Sequence, residues 1–364
     1  MVDRFLPEPP RPGAGLALGL AAIAVFGLLW FQVLTGERTL IATDTLYTVL
    51  PWSAEYGART PANRLLGDEM LEIVPWQQQV AAAFRSGRLP LWNQHAGFGS
   101  PLLANGASAP FSPFTWAALP FEPVRGLSLA MLLKLLVAGL GMAAYQRALG
   151  GGGLAAALAA VAYATCSSMV VWLAWPIAGV AAFLPWALAA VEWYLRARPA
   201  LGPAAVALAS ALLLLAGHAE TSLQAGLAVA LYSLVRVAAS RRWRLFGGLA
   251  LAAVTGALLA GVQVLPVADA VLSGGAQAAA GDRLGSAHLG WTALSSWLAP
   301  NLRGNPALDG SLGGSPNYSE ATGFVGVGSL VLAGLGAREL WRRDRPAAAA
   351  LLSLGLVSAA IVYG

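Results

Sequence analysis

The chain has 364 residues, of which 57% are hydrophobic and only 11% are charged, and its formal net charge is +5. Because an average soluble domain carries about 25% charged residues, this composition excludes an ordinary soluble globular protein. Several apolar runs reach the roughly 20 residues that cross a bilayer as a helix, and none alternates as membrane β-strands do. The composition therefore predicts an all-α, polytopic membrane protein, since a helix satisfies its own backbone hydrogen bonds in lipid.

The cysteine and arginine content narrow the class further. Cys166 is the single cysteine, so the chain forms no internal disulfide, and no residue near it has metal-ligand spacing. Most Arg residues lie in short connections between apolar runs, where they orient a membrane protein in the bilayer. The excess of basic residues therefore indicates how the protein is oriented in the membrane, and we predict no nucleic-acid partner.

The apolar runs predict about nine transmembrane helices in one domain that covers residues 1–364. In chain order the runs are 14–34, 126–146, 152–173, 177–195, 202–217, 222–239, 245–268, 323–337 and 347–364. The first run is too long for a signal-peptide core and no cleavage site follows it, so we predict a permanent anchor. The last run ends without a charged flank, which indicates the N-terminal part of a longer protein.

Two polar segments separate the runs: a first loop at 35–125, with an interfacial helix, and a second loop at 269–321. With the N-terminus in the cytoplasm, every connection on the inside is basic, as the positive-inside rule requires. Both loops then lie outside, together with all three histidines and most of the 17 carboxylates. We therefore expect the chemistry of this protein on the outer face of the membrane.

Two acidic segments of the first loop share one frame, an Asp separated by six residues from Pro-Trp: "DTLYTVLPW" from Asp44 and "DEMLEIVPW" from Asp68. Asp68 is the first candidate catalytic group and Asp44 the second, with Glu69 as a candidate substrate contact. Trp76 lies in the predicted interfacial helix, at the level of the lipid headgroups. A carboxylate there could act as a general base or bind a divalent metal ion; a solvated acid without a role is the alternative.

The segment 87–114 is rich in Gly and Pro, which exclude a long helix and predict an irregular loop. Trp92, Asn93 and Asn105 combine an aromatic face with amide groups in this segment. A carbohydrate pocket uses such groups, and so does a loop that only packs on a membrane domain. We keep the three residues as candidate substrate contacts.

Five further residues are candidates for substrate contact. Lys134, the only lysine, lies inside the second run and either snorkels to the interface or contacts phosphate. His218 and Glu220 lie at a tight turn, where they either line a cavity or cap helices. Arg283 and Arg303 in the second loop either bind phosphate or are solvated. No spacing of His or Cys indicates a metal, so the metal ligands remain unknown.

Several blocks of the chain resemble the YfhO-like bacterial membrane protein family. "NRLLGDEMLEIVPWQQQVAAAFRSGRLPLWNQHAGFGSPLLANGASAPFSPF", from Asn63, is similar to its N-terminal signature. In that signature an Asp and a Pro-aromatic step lead to Gly-x-x-Pro-Leu-Trp-Asn and Gly-x-Pro-Leu-x-Ala-Asn blocks and a Pro-rich close. "AGHAETSL", from Ala216, resembles its Gly-His-x-x-Thr turn, and "NYSEATGFVGVGSLVLAGLGA", from Asn317, resembles its entry into a later span. His95 departs from the pattern, because Pro is expected at that position.

The resemblance implies a fold and an activity. The family is similar to GT-C superfamily glycosyltransferases, in which an Asp in the first outer loop serves sugar transfer from a polyprenyl-phosphate carrier. It implies a bacterial inner-membrane enzyme that moves sugar to a cell-envelope glycan or polymer, with membrane lipid as a further partner. Asp68 or Asp44 would be the base, and Lys134, Arg283 or Arg303 would hold the leaving phosphate.

Two other functions remain compatible with the sequence. A transporter or flippase of lipid-linked precursors would show inverted repeats and interrupted helices with midplane ionisable residues. A non-catalytic envelope assembly protein would use the outer loops as a protein-binding surface. The position of Asp44, Asp68 and His218 relative to one another is expected to separate these functions from the transferase.

Overall fold

The computed structural model describes residues 24–196, 201–273, 288–308 and 317–363. Within these ranges the fold is all-α, as predicted, and the only sheet is a short antiparallel pair, β1 (Trp92–Asn93) with β2 (Ser100–Pro101). The α-helices are α1 (Phe31–Thr35), α2 (Trp52–Tyr56), α3 (Val74–Arg85), α4 (Pro113–Ala118), α5 (Pro123–Ala148), α6 (Gly153–Ala164), α7 (Ser167–Val171), α8 (Pro176–Leu195), α9 (Gly202–Leu215), α10 (Ala219–Ala239), α11 (Arg244–Leu259), α12 (Gly261–Ser273), α13 (Tyr318–Ala321), α14 (Val327–Arg343) and α15 (Arg345–Tyr363). Shorter turns are the 3-10 helices Thr43–Thr48, Arg64–Leu66 and Trp291–Trp297 and the π-helix Glu69–Ile73.

Among the described residues, four helices are long and apolar enough to cross a membrane: α5, α8, α10 and α15. The pair α11 and α12 adds a fifth if it is one span, although the two helices are bent by 82° at Ala260. This count is lower than the nine transmembrane helices predicted from the apolar runs.

The difference arises because an apolar run does not show where a helix ends. The run 152–173 breaks at Thr165 and Cys166 into α6 and the short α7. The run 202–217 yields α9, which has only 14 residues. The run 323–337 yields α14, which buries none of its side chains and continues into a basic last turn. Most of the first run, 14–34, lies outside the described residues.

Helices α5 and α8 form the centre of the bundle through small residues that let their backbones approach closely. Gly141 of α5 packs against the ring of Trp186, and a Cβ at this position would lie 2.6 Å from the Trp186 Cδ1. Trp186 Nε1 donates a hydrogen bond to the Val137 carbonyl at 2.9 Å. Helix α9 packs on the other side of α8, α11 packs on α9, and α15 packs on α10.

The first loop, 35–125, packs on one end of this bundle, which we call the loop end. The closest approach is at Gly217, between α9 and α10, whose φ of +112° is one that residues with a side chain rarely adopt. A Cβ at Gly217 would lie 2.7 Å from the Ala109 Cβ and 2.9 Å from the Pro176 Cβ. Gln263 of α12 donates to the Leu103 carbonyl at 3.2 Å. Glycine in the "AGHAETSL" block thus has a packing reason.

The opposite end of the bundle carries a cluster of ion pairs, and we call it the arginine end. It lies about 30 Å away, because α8 starts at the loop end and runs for 20 residues. Glu192 of α8 accepts hydrogen bonds from Arg236 (2.7 Å) and Arg196 (2.8 Å), and both guanidinium groups also bind Asp344 at 2.8 Å. Tyr232 donates to Glu192 at 2.8 Å. The connections that the charge pattern assigned to one face therefore share one end of the bundle.

Candidate functional site

Three grooves open on the first loop, and each is defined by its lining. The carboxylate groove, of about 640 Å³, is lined by Glu37, Arg38, Asp44, Glu122 and Arg125. The connecting groove, of about 540 Å³, is lined by Thr45, Tyr47, Arg59, Arg64 and Leu71. The amide groove, of about 620 Å³, is lined by Glu72, Trp76, Gln79, Asn93, His95 and Asn105. All three volumes suit a small-molecule site.

The carboxylate groove holds the first of the two predicted catalytic acids. Asp44 lies in the 3-10 helix Thr43–Thr48 and is half-buried. Its Oδ2 accepts a hydrogen bond from the Ala62 N–H at 2.7 Å, which fixes the side chain. No donor in the described part of the chain binds its Oδ1, so one carboxylate oxygen is left for a ligand or a proton.

Two arginines line the same groove and come from opposite ends of the first loop. Arg125, in the first turn of α5, packs flat on Gly36, where a Cβ would lie 3.3 Å from its Cζ. Its Cζ also lies 5.9 Å from the centre of the Phe121 ring. Neither Arg125 nor Arg38 forms an ion pair with any described residue. Both guanidinium groups therefore keep donors available in a groove that also contains Asp44.

A buried carboxylate supports the wall of this groove. Glu69 is 5% exposed, and its Oε2 accepts a hydrogen bond at 2.8 Å from Ala42 N–H, a residue that lines the groove. Burial raises the pKa of Glu69 to about 7, although the Ala42 hydrogen bond and the charge of Lys134 act to lower it. Glu69 was predicted to contact substrate; the structure places it behind the groove, where it holds the backbone of the Asp44 segment.

Lys134 lies next to this region, and its ammonium group likewise forms its hydrogen bonds within the protein. Its Nζ donates to the carbonyl oxygens of Leu173 and Trp175 at 2.9 Å and of Ala174 at 3.3 Å. These carbonyls lie at the break before α8, where the backbone has no helical donors to bind them. All three ammonium donors are therefore used to close the interrupted backbone, and none is left for a phosphate.

The second predicted catalytic acid lies apart from the first. Asp68 precedes the π-helix Glu69–Ile73, is exposed, makes no side-chain hydrogen bond within the described residues and lines none of the three grooves. The π-helix buries Glu69 and Ile73 and leaves Asp68 in solvent. Asp44 and Asp68 therefore do not share a groove, although their sequence frames are alike.

The amide groove contains two of the predicted substrate contacts. Asn93 Oδ1 accepts a hydrogen bond from His95 N–H at 2.9 Å, and Asn105 Oδ1 accepts one from Ser108 N–H at 2.8 Å. Trp92 does not line this groove; its exposed ring covers Gly99 instead, where a Cβ would lie 2.3 Å from the indole nitrogen. The structure thus brings Asn93 and Asn105 together and separates Trp92 from them.

The turn at His218 has the geometry of a helix cap. His218 Nδ1 accepts a hydrogen bond from Thr221 N–H at 3.3 Å and lies 2.8 Å from Thr221 Oγ1. Burial lowers the pKa of His218, and the charge of Glu220 opposes that shift. Glu220 is exposed and accepts from Gln224 at 3.4 Å. Neither residue lines any of the three grooves.

The remaining candidates are in the second loop. Arg303 is half-buried and lines none of the three grooves. Arg283 lies outside the described residues. Among the residues that the structure describes, no group of three or more His, Cys, Asp or Glu side chains is placed to hold a metal ion.

Sequence reasoning missed Arg38, Arg125 and Glu72 as groove residues. A signal for the two arginines was present, because they flank a loop that the charge pattern assigns to the outside. Arg next to a span is expected on the inside, so an outside Arg at a span end is informative. Glu72 had no such signal, since its position depends on the π-helix.

Comparison with known proteins adds no relative. No protein-family model matches the chain, no curated protein matches it significantly, and no solved structure matches its fold significantly. The functional interpretation therefore depends on the residues and geometry of the grooves.

Proposed function

We propose that this protein is a membrane glycosyltransferase that takes a sugar from a polyprenyl-phosphate-linked donor and transfers it to a cell-envelope glycan or polymer at the outer leaflet. One observation carries the proposal: Asp44, with a free carboxylate oxygen, shares the carboxylate groove with Arg38 and Arg125, which have no ion-pair partner in the described structure. The resemblance to the YfhO-like family and to GT-C enzymes implies a catalytic Asp in the first outer loop, and the groove geometry favours Asp44 over Asp68, which matches the family's Asp and Pro-aromatic step.

The position of the carboxylate groove supports a lipid-linked donor. Its lining runs from Gly36, just after α1, to Arg125, at the start of α5. Leu28 and Leu29, just before α1, are 77% and 73% exposed, as expected for side chains that face lipid. In a bilayer around these helices the groove lies at the level of the headgroups, where the phosphate of a lipid carrier is located.

The chemistry follows from the groups in the groove. Arg38 and Arg125 hold the phosphate through charge-assisted hydrogen bonds and stabilise the charge that develops on it as it leaves. Asp44 accepts the proton of an acceptor hydroxyl while that oxygen forms its bond to the anomeric carbon of the sugar. The bond from the anomeric carbon to the phosphate oxygen breaks through an oxocarbenium-like state, and the electron pair leaves with the lipid phosphate.

The catalytic and phosphate-binding roles are thus assigned to residues other than those ranked first from the sequence. Asp44 replaces Asp68 as the leading base, because Asp68 lines none of the grooves. Arg38 and Arg125 replace Lys134 as phosphate ligands, because Lys134 donates to three backbone carbonyls. The arginine end is proposed to face the cytoplasm of a bacterial cell and the loop end to face the envelope.

A transporter or flippase is the second candidate, and one observation favours it. Helices α11 and α12 form a pair bent by 82°, and broken spans of this kind line the substrate path in many transporters. Gln263, near the bend, is buried, and its Oε1 has no hydrogen-bond partner in the described structure. A buried polar atom without a partner calls for an explanation, and a ligand or a second conformation in a transport cycle would supply one.

The test uses the full-length protein in liposomes that contain a polyprenyl-phosphate sugar with a radiolabelled hexose. For a glycosyltransferase, label leaves the lipid fraction when an envelope glycan is added, and Asp44→Asn reduces the rate about 100-fold or more. For a flippase, label stays on the lipid and only crosses the bilayer. Loss of label at an equal rate in Asp44→Asn and wild type would reject Asp44 as the base.

A further inference from the structure

The amide groove carries two hydrogen-bond donors that the protein holds in place and does not use. Asn93 is 4% exposed, and the His95 N–H binds its Oδ1, so its amide nitrogen is the group left for the groove. Asn105 is oriented in the same way by the Ser108 N–H. Neither amide nitrogen has a partner among the described residues. Two oriented NH₂ groups thus point to a ligand with acceptor oxygens.

The other side of the groove supplies acceptors and an aromatic surface. Glu72 offers a carboxylate, and Gln79 offers an amide oxygen. Trp76 is half-buried, and its ring meets the ring of Trp175 edge to face, with centroids 6.5 Å apart, which fixes its orientation. No Arg or Lys lines the groove. Glu72 would repel an anionic ligand, and the groove offers only the His95 imidazole as a basic group, so the ligand is expected to be neutral.

The loop that carries the two asparagines is held rigidly. Ser108 is fully buried, and its Oγ donates to the Leu102 carbonyl at 2.6 Å. Gln77 of α3 donates to the Ser108 carbonyl at 3.1 Å, which ties the loop to the helix that carries Trp76. β1 and β2 pair Asn93 with Ser100. The donors are therefore oriented before any ligand binds, which reduces the entropy cost of binding.

We infer that the amide groove binds a neutral oligosaccharide. This oligosaccharide is the acceptor for the glycosyl transfer proposed above. Sugar hydroxyls both donate and accept hydrogen bonds, so they match two amide donors and a carboxylate acceptor, and the apolar face of a sugar ring matches an indole. The binding of a sugar chain stands on the groove alone; its role as acceptor rests on the proposed function.

One shared lining residue joins this groove to the connecting groove. Leu71 lines both the amide groove and the connecting groove. The connecting groove in turn is lined by Thr45 and Tyr47, which belong to the same 3-10 helix as Asp44. A glycan that extends from the amide groove past Leu71 therefore enters the connecting groove, beside the 3-10 helix that carries Asp44.

The experiment measures saturation-transfer difference NMR on the full-length protein in detergent, with maltotriose, mannotriose and triacetylchitotriose as probes. We expect saturation transfer to at least one of the three, with Glu72→Gln and Asn93→Asp each weakening that binding about 10-fold. Asn93→Asp keeps the acceptor for the His95 N–H, and Asn105→Asp, at an exposed position, guards against a folding defect at Asn93. Gln78→Ala, on the exposed face of α3, is the control and should bind as wild type does.

The outcomes separate this inference from the proposed function. No saturation transfer to any of the three probes would overturn the inference. Unchanged binding in Glu72→Gln, Asn93→Asp and Asn105→Asp together would also overturn it, because the sugar would then bind elsewhere. Sugar binding that these variants weaken, in a protein that shows no transfer from a lipid donor, would support the groove and reject the transferase.

Discussion

The arginine end and the loop end of the bundle both concentrate charged side chains, but they differ in how these side chains are paired. At the arginine end Glu192 is fully buried, and each of its oxygens accepts at least two hydrogen bonds from Arg or Tyr. At the loop end Asp44, Arg38 and Arg125 line one open groove without an ion pair among the described residues. Charges that are satisfied within the protein hold helices together, whereas charges left open in a groove are available for a ligand.

We expect the greatest loss of stability from a substitution that disrupts the ion pairs at the arginine end. Glu192→Ala removes the buried partner of Arg236 and Arg196 and leaves them only Asp344, so it should lower the free energy of unfolding by about 3 kcal/mol, because it breaks a buried ion pair. Unfolding of the purified protein in detergent measures this loss. The control Glu339→Gln removes an exposed pair with Arg343 and should change stability by less than about 1 kcal/mol. Equal stability of both variants would show that the cluster is not structural.

The buried acid Glu69, behind the carboxylate groove, should make the stability of the protein depend on pH. Because burial raises the pKa of Glu69 to about 7 from 4.5, the folded state favours the protonated carboxyl. That contribution is complete below pH 4.5 and is lost as the pH rises to about 7, so Glu69 should account for a loss of roughly 1–3 kcal/mol between pH 5 and pH 8. Glu69→Gln keeps the acceptor for the Ala42 N–H and should lack this loss.

Denaturant unfolding at both pH values measures the difference between the two proteins. Glu55→Gln, at an exposed position in α2, is the matched control and should keep the slope of wild type. A Glu69→Gln protein whose stability falls with pH as steeply as that of wild type would assign the pH dependence to another group.

At the loop end we expect a smaller change, in the KM for the lipid-linked donor. Arg38→Gln and Arg125→Gln should each raise the KM for the lipid-linked donor about 10-fold, since each removes one charge-assisted contact to phosphate. Arg303→Gln in the second loop, which was a phosphate candidate from sequence, should leave the KM unchanged. Steady-state transfer kinetics in liposomes compare the three. A rise in KM for Arg303→Gln alone would move the donor site to the second loop.

The smallest effect tests the helix cap at the turn between α9 and α10. His218→Ala removes an N-cap acceptor and should destabilise the protein by about 1 kcal/mol, with transfer activity retained in the folded fraction. Glu220→Gln should change neither quantity. Thermal unfolding and the transfer assay together decide the point. Loss of activity at full stability in His218→Ala would return this residue to the catalytic site.

The sequence was sufficient for the fold class but not for the ends of the helices. Hydropathy located α5, α8 and α10 within a few residues, because a long apolar run has few alternatives to a buried or membrane-embedded helix. The bend at Ala260 was missed because the apolar run 245–268 continues through it: Gly261, beside the bend, is one of several glycines in the run, and Pro266 lies inside the next helix. Such breaks depend on neighbours in space rather than on local propensity.

The candidate site, like the fold, could be predicted from the sequence only in part. Asp44, Asn93 and Asn105 could be identified from residue type and local context, and the structure places each of them in a groove. The like frames of Asp44 and Asp68 suggested one shared site, but a π-helix turns Glu69 inward and leaves Asp68 outside. One residue of register decides which acid is buried, and a sequence pattern does not specify it.

The catalytic role of Asp44 is decided by the rate of sugar transfer from the lipid-linked donor in Asp44→Asn and Asp68→Asn, compared at matched stability. The two substitutions are chemically identical, and only Asp44 lines the carboxylate groove. We predict that Asp44→Asn loses about 100-fold or more of the rate, while Asp68→Asn stays within about twofold of wild type. Loss of activity in Asp68→Asn with full activity in Asp44→Asn would contradict the assignment of the catalytic groove.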